Sequence, residues 1–493
     1  MSDSFRPQSV ASALNSSLLL PGILLLAAFL RMISIGSHSF WVDELFSLKF
    51  ASDSLAELFP EVASFDNHPP TYYLLLHFWI QLFGDSELSL RIPSAIFSVL
   101  SVYFTFKAGE LLFDRRVASI AAFLLALSGF SIYYAQEARM YSLLALSSVL
   151  SVYFLLKFLQ QQTSRTLFNY VWSTTLLVYT HLYGIFIIIA ENIYILAVLY
   201  RVGYGIPGVS LRKWIAVQGT IFLLSLPWFG LLINRIVNIA QEGFWVAVPT
   251  ADSIVKTFAA FSGTSGGLAL WVLLMVLGAL SGLPGNAGFA RKVFNEPSTK
   301  DVGWHVILLL LLVLTPILMP YLISKFTTPI YIIRSTIAAQ FAFYLLVAKG
   351  IASLRWPVLG VPALILVIAV LLRPLLAEGY VHRNATDFRR VVDYLVANAT
   401  DEDKILLCSH SHLNWPFKYY AKQQGLRSEI RKISGNETVS ELLNRRRGWY
   451  VGLINRKDQC QQVLQTLSYV YTQRELKDIS ARNIEITVFT DDR

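Results

Sequence analysis

The residues with the clearest capacity for chemistry are two adjacent carboxylates that follow the first long apolar stretch of the chain, residues 18–35. Asp43 and Glu44 come directly after the pair Trp41-Val42. Adjacent carboxylates beside a membrane surface are costly unless they are partnered or used. One interpretation is structural, a helix N-cap or a solvated pair. The other is catalytic, with Asp43 as a general base and Glu44 as an acid that orients an acceptor.

A histidine and two tyrosines surround a pair of prolines in the segment 66–73. The prolines predict a rigid, extended approach to a helix. His68 and Tyr72 are candidate substrate-binding residues here, although a single histidine can equally be structural. The apolar run 72–83 is too short to span a bilayer, so an interfacial amphipathic helix fits it better.

Arginines near the outer ends of apolar runs are candidates for binding a lipid phosphate. Arg139 shares the segment 133–141 with Glu137 and Tyr141. It lies where hydrocarbon gives way to water, and a guanidinium there can bind phosphate through two hydrogen bonds. The alternative is an ion pair of Arg139 with Glu137 or Asp43. Glu137 is the weaker partner, because helical residues two positions apart do not share a face.

Arg334 is the second candidate phosphate ligand. It ends the short segment 325–334, which leads into another apolar run. An arginine can also extend its charged group from a helix end to water, and this alternative holds equally for Arg31.

Two further polar residues lie among the apolar runs. His181 is in a tight turn and faces the same side as the segments above. Glu191 is in the middle of an apolar run, where a carboxylate is expensive and therefore suggests function. We interpret Glu191 instead as a protonated side chain that is hydrogen-bonded to a neighbouring helix.

The elements that must position these residues are membrane spans. Of the 493 residues, 55% are hydrophobic and only 15% are charged, whereas soluble proteins average about 25% charged residues. Backbone groups in hydrocarbon must be satisfied within each run, which makes runs of this length helices. We predict an α-helical polytopic membrane protein with about eleven transmembrane helices. The predicted helices start near residues 17, 88, 116, 142, 167, 184, 214, 266, 304, 334 and 356.

The charge distribution predicts the orientation of the chain. Its net charge of +9 does not indicate nucleic acid, because the basic residues cluster in short loops as the positive-inside rule describes. With the N-terminus in the cytoplasm, these clusters are cytoplasmic and the candidate site residues lie outside. The lack of large inserted domains looks bacterial. We therefore predict a multi-pass protein of the bacterial inner membrane with a periplasmic active site.

The last part of the chain differs in kind from the rest. Residues 1–373 form the predicted transmembrane domain, in which 36–91 is a long structured outer loop, and residues 374–493 form a small periplasmic α/β domain. The latter contains β-rich runs at 404–408, 449–454 and 484–489 and helical patterns at 388–396 and 460–471. Cys408 and Cys460 also lie there, and the sequence does not decide between a disulfide and free thiols.

Taken in order, these segments resemble the class C glycosyltransferases, in particular bacterial relatives of the dolichyl-phosphate-mannose protein mannosyltransferases and the lipid A aminoarabinose transferases. The resemblance covers roughly residues 15–350 and depends on the order, spacing and shared outer side of the motifs. The motifs are Asp43-Glu44, His68-Pro69-Pro70 with Tyr72-Tyr73, Arg91-Ile92-Pro93-Ser94, Gln136-Glu137-Ala138-Arg139-Met140-Tyr141 and His181-Leu182-Tyr183-Gly184. One position departs from the pattern, since many relatives have Arg-Tyr where this chain has Arg334-Ser335.

The resemblance implies an integral membrane glycosyltransferase that moves one hexose or pentose from a polyprenyl-phosphate donor. Asp43 would be the base in a one-step, inverting displacement, and Arg139 and Arg334 would stabilise the leaving phosphate. The other expected substrate-binding residues are Glu44, His68, Tyr72, Glu137, Tyr141 and His181. No metal or other cofactor is required. The expected partners are the lipid-linked sugar, a glycan, lipid or protein acceptor and membrane lipids, without nucleic acid.

Two other classes of function stay open. A transporter or lipid flippase often has repeated halves, helices broken by Gly or Pro and ionisable groups at mid-bilayer, where this chain offers only Glu191. The third class is a non-catalytic partner in envelope assembly. The sugar, the length of the carrier, the acceptor and the role of the final segment are not determined by the sequence.

Overall fold

Helices dominate the architecture, and a small sheet forms near the C-terminus. The computed structural model describes residues 17–66, 68–201, 209–242, 246–280, 302–354, 358–377, 387–408, 411–433, 447–453, 467, 472–475 and 484–490. The helices are α1 (Leu19–Met32), α2 (Val42–Ser52), α3 (Leu55–Phe65), α4 (Thr71–Phe83), α5 (Glu87–Leu112), α6 (Arg115–Leu127), α7 (Gly129–Ala135), α8 (Tyr141–Gln161), α9 (Ser164–Thr180), α10 (Gly184–Arg201), α11 (Leu211–Glu242), α12 (Ala251–Ser262), α13 (Leu268–Leu280), α14 (Val302–Phe326), α15 (Gln340–Ser353), α16 (Gly360–Ala377), α17 (Phe388–Asn398) and α18 (Ser411–Gln423). Two 3₁₀ segments, Ser265–Gly267 and Ile333–Ala339, precede α13 and α15.

A helix begins within four residues of each predicted start, so the apolar runs are helical as expected. Within the described residues, four helical stretches are long and apolar enough to cross a membrane, or up to six if each of two bent pairs is one span. The bent pairs are α6 with α7, at 59°, and α12 with the segment that ends in α13, at 89°. A multi-span helical protein is therefore confirmed, whereas the predicted number of about eleven spans is not.

The chain divides into two compact units. Unit 1 consists of Met1–Ile33, Phe50–Gly84 and Leu90–Gly379, and unit 2 of Ser34–Lys49, Asp85–Ser89 and Tyr380–Arg493. Unit 2 thus combines the C-terminal part of the chain with two short pieces of the predicted outer loop. The predicted boundary at residue 373 stays a prediction.

Unit 1 contains a close crossing between α13 and α15. A Cβ atom added to Gly278 would lie 2.1 Å from the carbonyl oxygen of Leu346, and one added to Gly350 would lie 1.9 Å from that of Leu274. Backbones approach this closely only where side chains are absent, as in other helix pairs of membrane proteins.

The bend between α6 and α7 is held by buried hydrogen bonds. Arg31, at the end of α1, is fully buried. Its guanidinium donates to the carbonyl oxygens of Leu125 and Ala126, at 3.3 and 3.0 Å, and to the hydroxyl of Ser131 at 3.0 Å. The last carbonyl groups of a helix lack the usual donors of the next turn. Leu125 also accepts from the N–H of Ser128 at 3.3 Å, and the guanidinium supplies a donor to Leu125 and to Ala126. Arg31 therefore stabilises a helix end.

Unit 2 contains a five-stranded mixed sheet with the order β2-β1-β3-β5-β4. The strands are β1 (Lys404–Cys408), β2 (Glu429–Ile433), β3 (Arg447–Leu453), β4 (Thr472–Glu475) and β5 (Ile484–Thr490). β1 pairs in parallel with β2 and β3, and β5 pairs antiparallel with β3 and β4. The three predicted strands and the helix at 388–396 are confirmed, and β2, β4 and α18 are additional. The predicted helix at 460–471 lies outside the described residues except for Leu467, as does Cys460.

Candidate functional site

A charged cluster in unit 1 joins the segment after α3 to the loop between α7 and α8. The Tyr73 hydroxyl donates a short hydrogen bond to the Asp66 carboxylate and accepts one from Nη1 of Arg139 at 2.9 Å. Nη2 of Arg139 also lies 3.6 Å from the Asp66 carboxylate. Burial and the nearby Asp66 raise the pKa of Tyr73, although Arg139 acts in the opposite direction, so the phenol keeps its proton.

The loop that carries Arg139 is held by hydrogen bonds to the end of α1 and to α5. The Gln136 amide donates to the carbonyl oxygens of Arg31 and Ile33, at 3.2 and 2.8 Å. The Ser94 hydroxyl donates to the carbonyl oxygen of Arg139 at 3.1 Å and also contacts the Tyr72 hydroxyl at 2.8 Å. Tyr72 therefore supports the loop through Ser94.

His68 and His181 lie against each other, with ring centroids 4.5 Å apart. The backbone N–H of Tyr183 donates to Nδ1 of His181 at 3.0 Å, which places the proton of the neutral ring on Nε2. That nitrogen lies 3.4 Å from the Ser335 hydroxyl. Burial, followed by the arginines Arg139 and Arg334, lowers the pKa of His68. Burial and the neighbouring His68 and Arg334 lower the pKa of His181.

Arg334 is positioned by the loop between α14 and α15. The Ser324 hydroxyl accepts hydrogen bonds from the backbone N–H groups of Ile330 and Tyr331, at 2.8 and 2.9 Å. The Tyr183 hydroxyl donates to the carbonyl oxygen of Ile330 at 3.1 Å and accepts from the N–H of Ile332 at 3.0 Å. The loop is therefore bound to both α14 and the His181 turn.

The guanidinium of Arg334 stacks on an aromatic face. Its central carbon lies 5.4 Å from the centroid of the Tyr141 ring. The Tyr141 ring also lies 5.9 Å from that of His181. Such stacking orients the guanidinium and adds a favourable cation–π contact.

A cavity of 420 Å³ opens beside these residues. His68, His181, Arg334 and Ser335 form a contiguous polar part of its wall. Most of the remaining wall is apolar and comes from the end of α9, from α10, from α11 and from the loop before Arg334. The apolar lining includes Val178, Ile185, Phe186, Ile221, Phe222 and Ile332. Arg334 and both histidines therefore line the cavity, whereas Arg139 is bound to Asp66 and Tyr73.

Asp43 and Glu44 belong to unit 2 and lie in the first turn of α2. Glu44 is buried, and its carboxylate accepts a hydrogen bond from the backbone N–H of Trp41 at 3.4 Å. Carboxylates in a first turn also interact favourably with the helix dipole. The hydrogen bond from Trp41 supports the structural interpretation of Glu44 as a helix-capping residue. The Asp43 side chain is half-buried.

Arg31 and Glu191, two polar residues noted in the sequence, both make buried hydrogen bonds to neighbouring helices. Arg31 is used at the end of α6, as described above. Glu191 is fully buried on α10 and accepts hydrogen bonds from the hydroxyls of Ser151 and Tyr170, at 2.8 and 3.0 Å. These bonds join Glu191 to neighbouring helices, as its structural interpretation expects. Among the described residues, no group of three or more His, Cys, Asp and Glu residues could hold a metal ion.

Sequence reasoning missed two members of the cluster and the cavity. The alternatives for Arg139 named Glu137 and Asp43 as ion-pair partners, and the structure adds Asp66 as a partner within unit 1. Asp66 and Tyr73 are in the same short segment as His68, and this closeness in the sequence could have identified them as members of the cluster. The cavity could not be identified from the sequence, because most of its lining residues look like ordinary lipid-facing side chains.

Comparisons with known proteins support the resemblance predicted from the motifs. A family model described as dolichyl-phosphate-mannose-protein mannosyltransferase matches residues 67–228, about a third of the chain. This part contains His68, Arg139 and His181 but not Asp43 or Arg334. A search of curated protein sequences finds no significant match.

Solved structures share the fold over most of the chain. Similar structures include ArnT from Cupriavidus metallidurans in the apo state, with 11% identity, coverage of 94% of this chain and 97% of that chain, and a TM-score of 0.57. The same protein bound to undecaprenyl phosphate has 11% identity, coverage of 96% and 98%, and a TM-score of 0.56. Archaeal oligosaccharyltransferase AglB from Archaeoglobus fulgidus, in complex with an inhibitory peptide and a dolichol-phosphate, has 10% identity, coverage of 93% and 73%, and a TM-score of 0.50.

Proposed function

We propose that this protein is a membrane glycosyltransferase that uses a polyprenyl-phosphate sugar as its donor. The observation that carries this proposal is the cavity, whose mostly apolar wall includes a contiguous polar part with Arg334 and both histidines. An isoprenoid chain needs an apolar surface, and its phosphate needs fixed donors and positive charge. The family match over residues 67–228 and the polyprenyl phosphates bound to structural relatives agree with this ligand class.

Arg334 is the proposed principal ligand of the donor phosphate. It lines the cavity, is stacked on Tyr141 and adjoins His181 and Ser335. Because the pKa values of both histidines are lowered, the imidazoles are neutral near pH 7 and act as hydrogen-bonding groups. The positive charge comes from arginine. Arg139 is proposed to contribute to the field at longer range, since its guanidinium also binds Asp66 and Tyr73.

Asp43 is the proposed general base. The acceptor oxygen attacks the anomeric carbon and forms the new glycosidic bond, while the bond from that carbon to the phosphate oxygen breaks. The acceptor proton passes to Asp43, and the polyprenyl phosphate leaves as a monoester dianion with a second pKa of about 6. A leaving group of this kind needs stabilisation of charge more than protonation. A single displacement inverts the anomeric centre.

The proposed location is the outer face of a bacterial inner membrane. The charge distribution supports this orientation, because the predicted span order puts the basic clusters in loops on the opposite side from the candidate residues. The sugar, the carrier length and the chemical class of the acceptor are left open by the proposal.

Transfer of label from a panel of lipid-linked sugars tests the function. Membranes that contain wild-type protein or Asp43→Asn are incubated with radiolabelled polyprenyl-phosphate mannose, glucose, galactose and aminoarabinose, with native membranes as the source of acceptors. We expect wild-type protein to transfer label from at least one donor and Asp43→Asn to lose at least about 100-fold of the rate, as for other general bases. Asp252→Asn, which changes an exposed carboxylate on α12, is the matched control.

The outcomes separate the parts of the proposal. Equal transfer by wild type and Asp43→Asn removes Asp43 as the base but leaves the donor class intact. A folded wild-type protein that transfers no label from any donor, with native acceptors present, contradicts the glycosyltransferase proposal.

A further inference from the structure

The segment that carries Asp43 is held by the C-terminal part of unit 2. Three stretches that are distant in sequence form this unit, namely residues 34–49, 85–89 and 380–493. The first of them contains both candidate carboxylates. Its contacts with the other two stretches therefore bear on how Asp43 is positioned.

Tyr420, on α18, binds the backbone just before Asp43. Its buried phenol oxygen accepts a hydrogen bond from the N–H of Phe40 at 2.7 Å. The same hydroxyl donates to the Glu87 carboxylate at 2.8 Å. Burial and Glu87 raise the pKa of Tyr420, so the phenol stays protonated and makes both bonds.

Arg389, in the first turn of α17, makes a second connection to the same region. Its Nη2 donates to the carbonyl oxygen of Ser37 at 2.9 Å, and its Nη1 lies 3.2 Å from the Glu87 carboxylate. The adjacent backbone N–H of Phe388 donates to the Ser39 hydroxyl at 3.0 Å. Residues 37–40 are thus bound by α17 and α18 at three positions.

A further contact follows Asp43 along the chain. Phe46 lies three residues after Asp43 on α2, which places both side chains on the same face of the helix. The Phe46 ring packs edge to face on Trp415 of α18, with centroids 4.6 Å apart. Asp43 therefore lies between two positions, Phe40 and Phe46, that α18 contacts.

The start of the segment also needs support from its surroundings. Ser34 adopts φ of 57°, in the left-handed region that residues other than glycine rarely occupy. Such a conformation costs free energy and persists where surrounding contacts determine it. The hydrogen bonds from Ser37 to the carbonyl oxygen of Ser34, at 3.1 Å for the N–H and 2.8 Å for the hydroxyl, continue into the part bound by Arg389.

We propose that the C-terminal soluble part of the chain is a positioning element for the general base, with Tyr420 and Arg389 as its positioning residues. The inference rests on the proposed function, in which Asp43 takes the acceptor proton. A base that is misplaced by about 1 Å can lower a rate by about 100-fold, although substrate binding is unchanged. The C-terminal part thereby acts on catalysis through the placement of Asp43.

Steady-state kinetics of full-length variants test this placement. We expect Tyr420→Phe and Arg389→Ala each to lower kcat by about tenfold and to leave KM for the donor within about twofold of wild type. Arg389→Lys retains the charge and should recover part of the loss. Arg427→Ala is the matched control, because it removes an exposed arginine of the same unit whose pairing distance to Asp401 is 3.8 Å.

Amide hydrogen exchange of the same proteins gives a readout that does not need activity. Tyr420→Phe removes the acceptor of the Phe40 N–H, so exchange of residues 37–46 should be faster than in wild type and in Arg427→Ala. Unchanged exchange contradicts the holding of the segment, and faster exchange with a wild-type kcat contradicts its role in catalysis. Loss of kcat accompanied by an equal rise in donor KM also overturns the proposal. If wild-type protein transfers no sugar, the proposed function fails, and the exchange result alone still decides whether the segment is held.

Discussion

Replacement of Arg334 by alanine gives the sharpest test of where the donor phosphate binds. A hydrogen bond to a charged group contributes about 1.5–3 kcal/mol when it is formed. At about 1.4 kcal/mol for each tenfold change, its loss weakens binding by about 10- to 150-fold. Because Arg334 is partly exposed at the cavity wall, solvent screening places our expectation near the lower end, at about 10- to 30-fold.

The measurement is the dissociation constant of undecaprenyl phosphate for purified protein in lipid nanodiscs. Lys325→Ala is the matched control, since it removes one exposed positive charge from the same loop region without altering the cavity wall. Arg334→Lys should fall between wild type and Arg334→Ala, because an ammonium group keeps the charge but not the two-donor geometry. A dissociation constant for Arg334→Ala equal to that of Lys325→Ala would refute the assignment of Arg334 to the phosphate.

Three further outcomes follow from contacts in unit 1. Tyr73→Phe removes the hydroxyl between Asp66 and Arg139 and should lower stability by about 1.5–3 kcal/mol; an unchanged melting temperature in thermal unfolding would contradict this. Folding lowers the pKa of His68 and His181, so the unfolded chain binds more protons than the folded chain at pH values below the ordinary pKa of 6.5. The free energy of unfolding should therefore fall with decreasing pH. Melting scans from neutral to mildly acidic pH should show this fall, and the double variant H68Q/H181Q should show a smaller one. Gly350→Ala should separate α13 from α15 and lower the melting temperature strongly, whereas Gly219→Ala, at a position with open space, should not.

Much of the fold was predictable because it depends on local sequence. The helix starts follow hydropathy, and β1, β3 and β5 follow the short β-rich runs that predicted them. The break between α6 and α7 was not predictable, because Ser128 is an ordinary residue in an apolar run. The Ser128 hydroxyl caps the start of α7 by accepting a hydrogen bond from the N–H of Ser131 at 3.2 Å, and Arg31, which is distant in sequence, supplies hydrogen bonds to the end of α6.

The site was predictable in part for the same reason. Residues that share a short segment, such as His68 with Tyr72, could be grouped from the sequence, and His181 could be added through the resemblance. The pairing of Arg139 with Asp66 could not be predicted, because the two residues are far apart in the sequence and meet only in the folded structure. That Arg334 lines the cavity could not be predicted either, because the apolar lining of the cavity comes from four separate parts of the chain.

The buried guanidinium of Arg31 has a consequence for how the protein is assembled in the membrane. Helix α1 emerges from the ribosome long before α6, which supplies the carbonyl groups that Arg31 binds. An arginine at the centre of a helix costs about 2.5–3.5 kcal/mol on insertion scales, and less near an end. During synthesis the guanidinium can first bind only the carbonyl oxygen of Ala27 in its own helix. Ser98 of α5 and then the α6–α7 bend supply the remaining acceptors. The order of biogenesis is thus coupled to the geometry of the loop that holds Arg139.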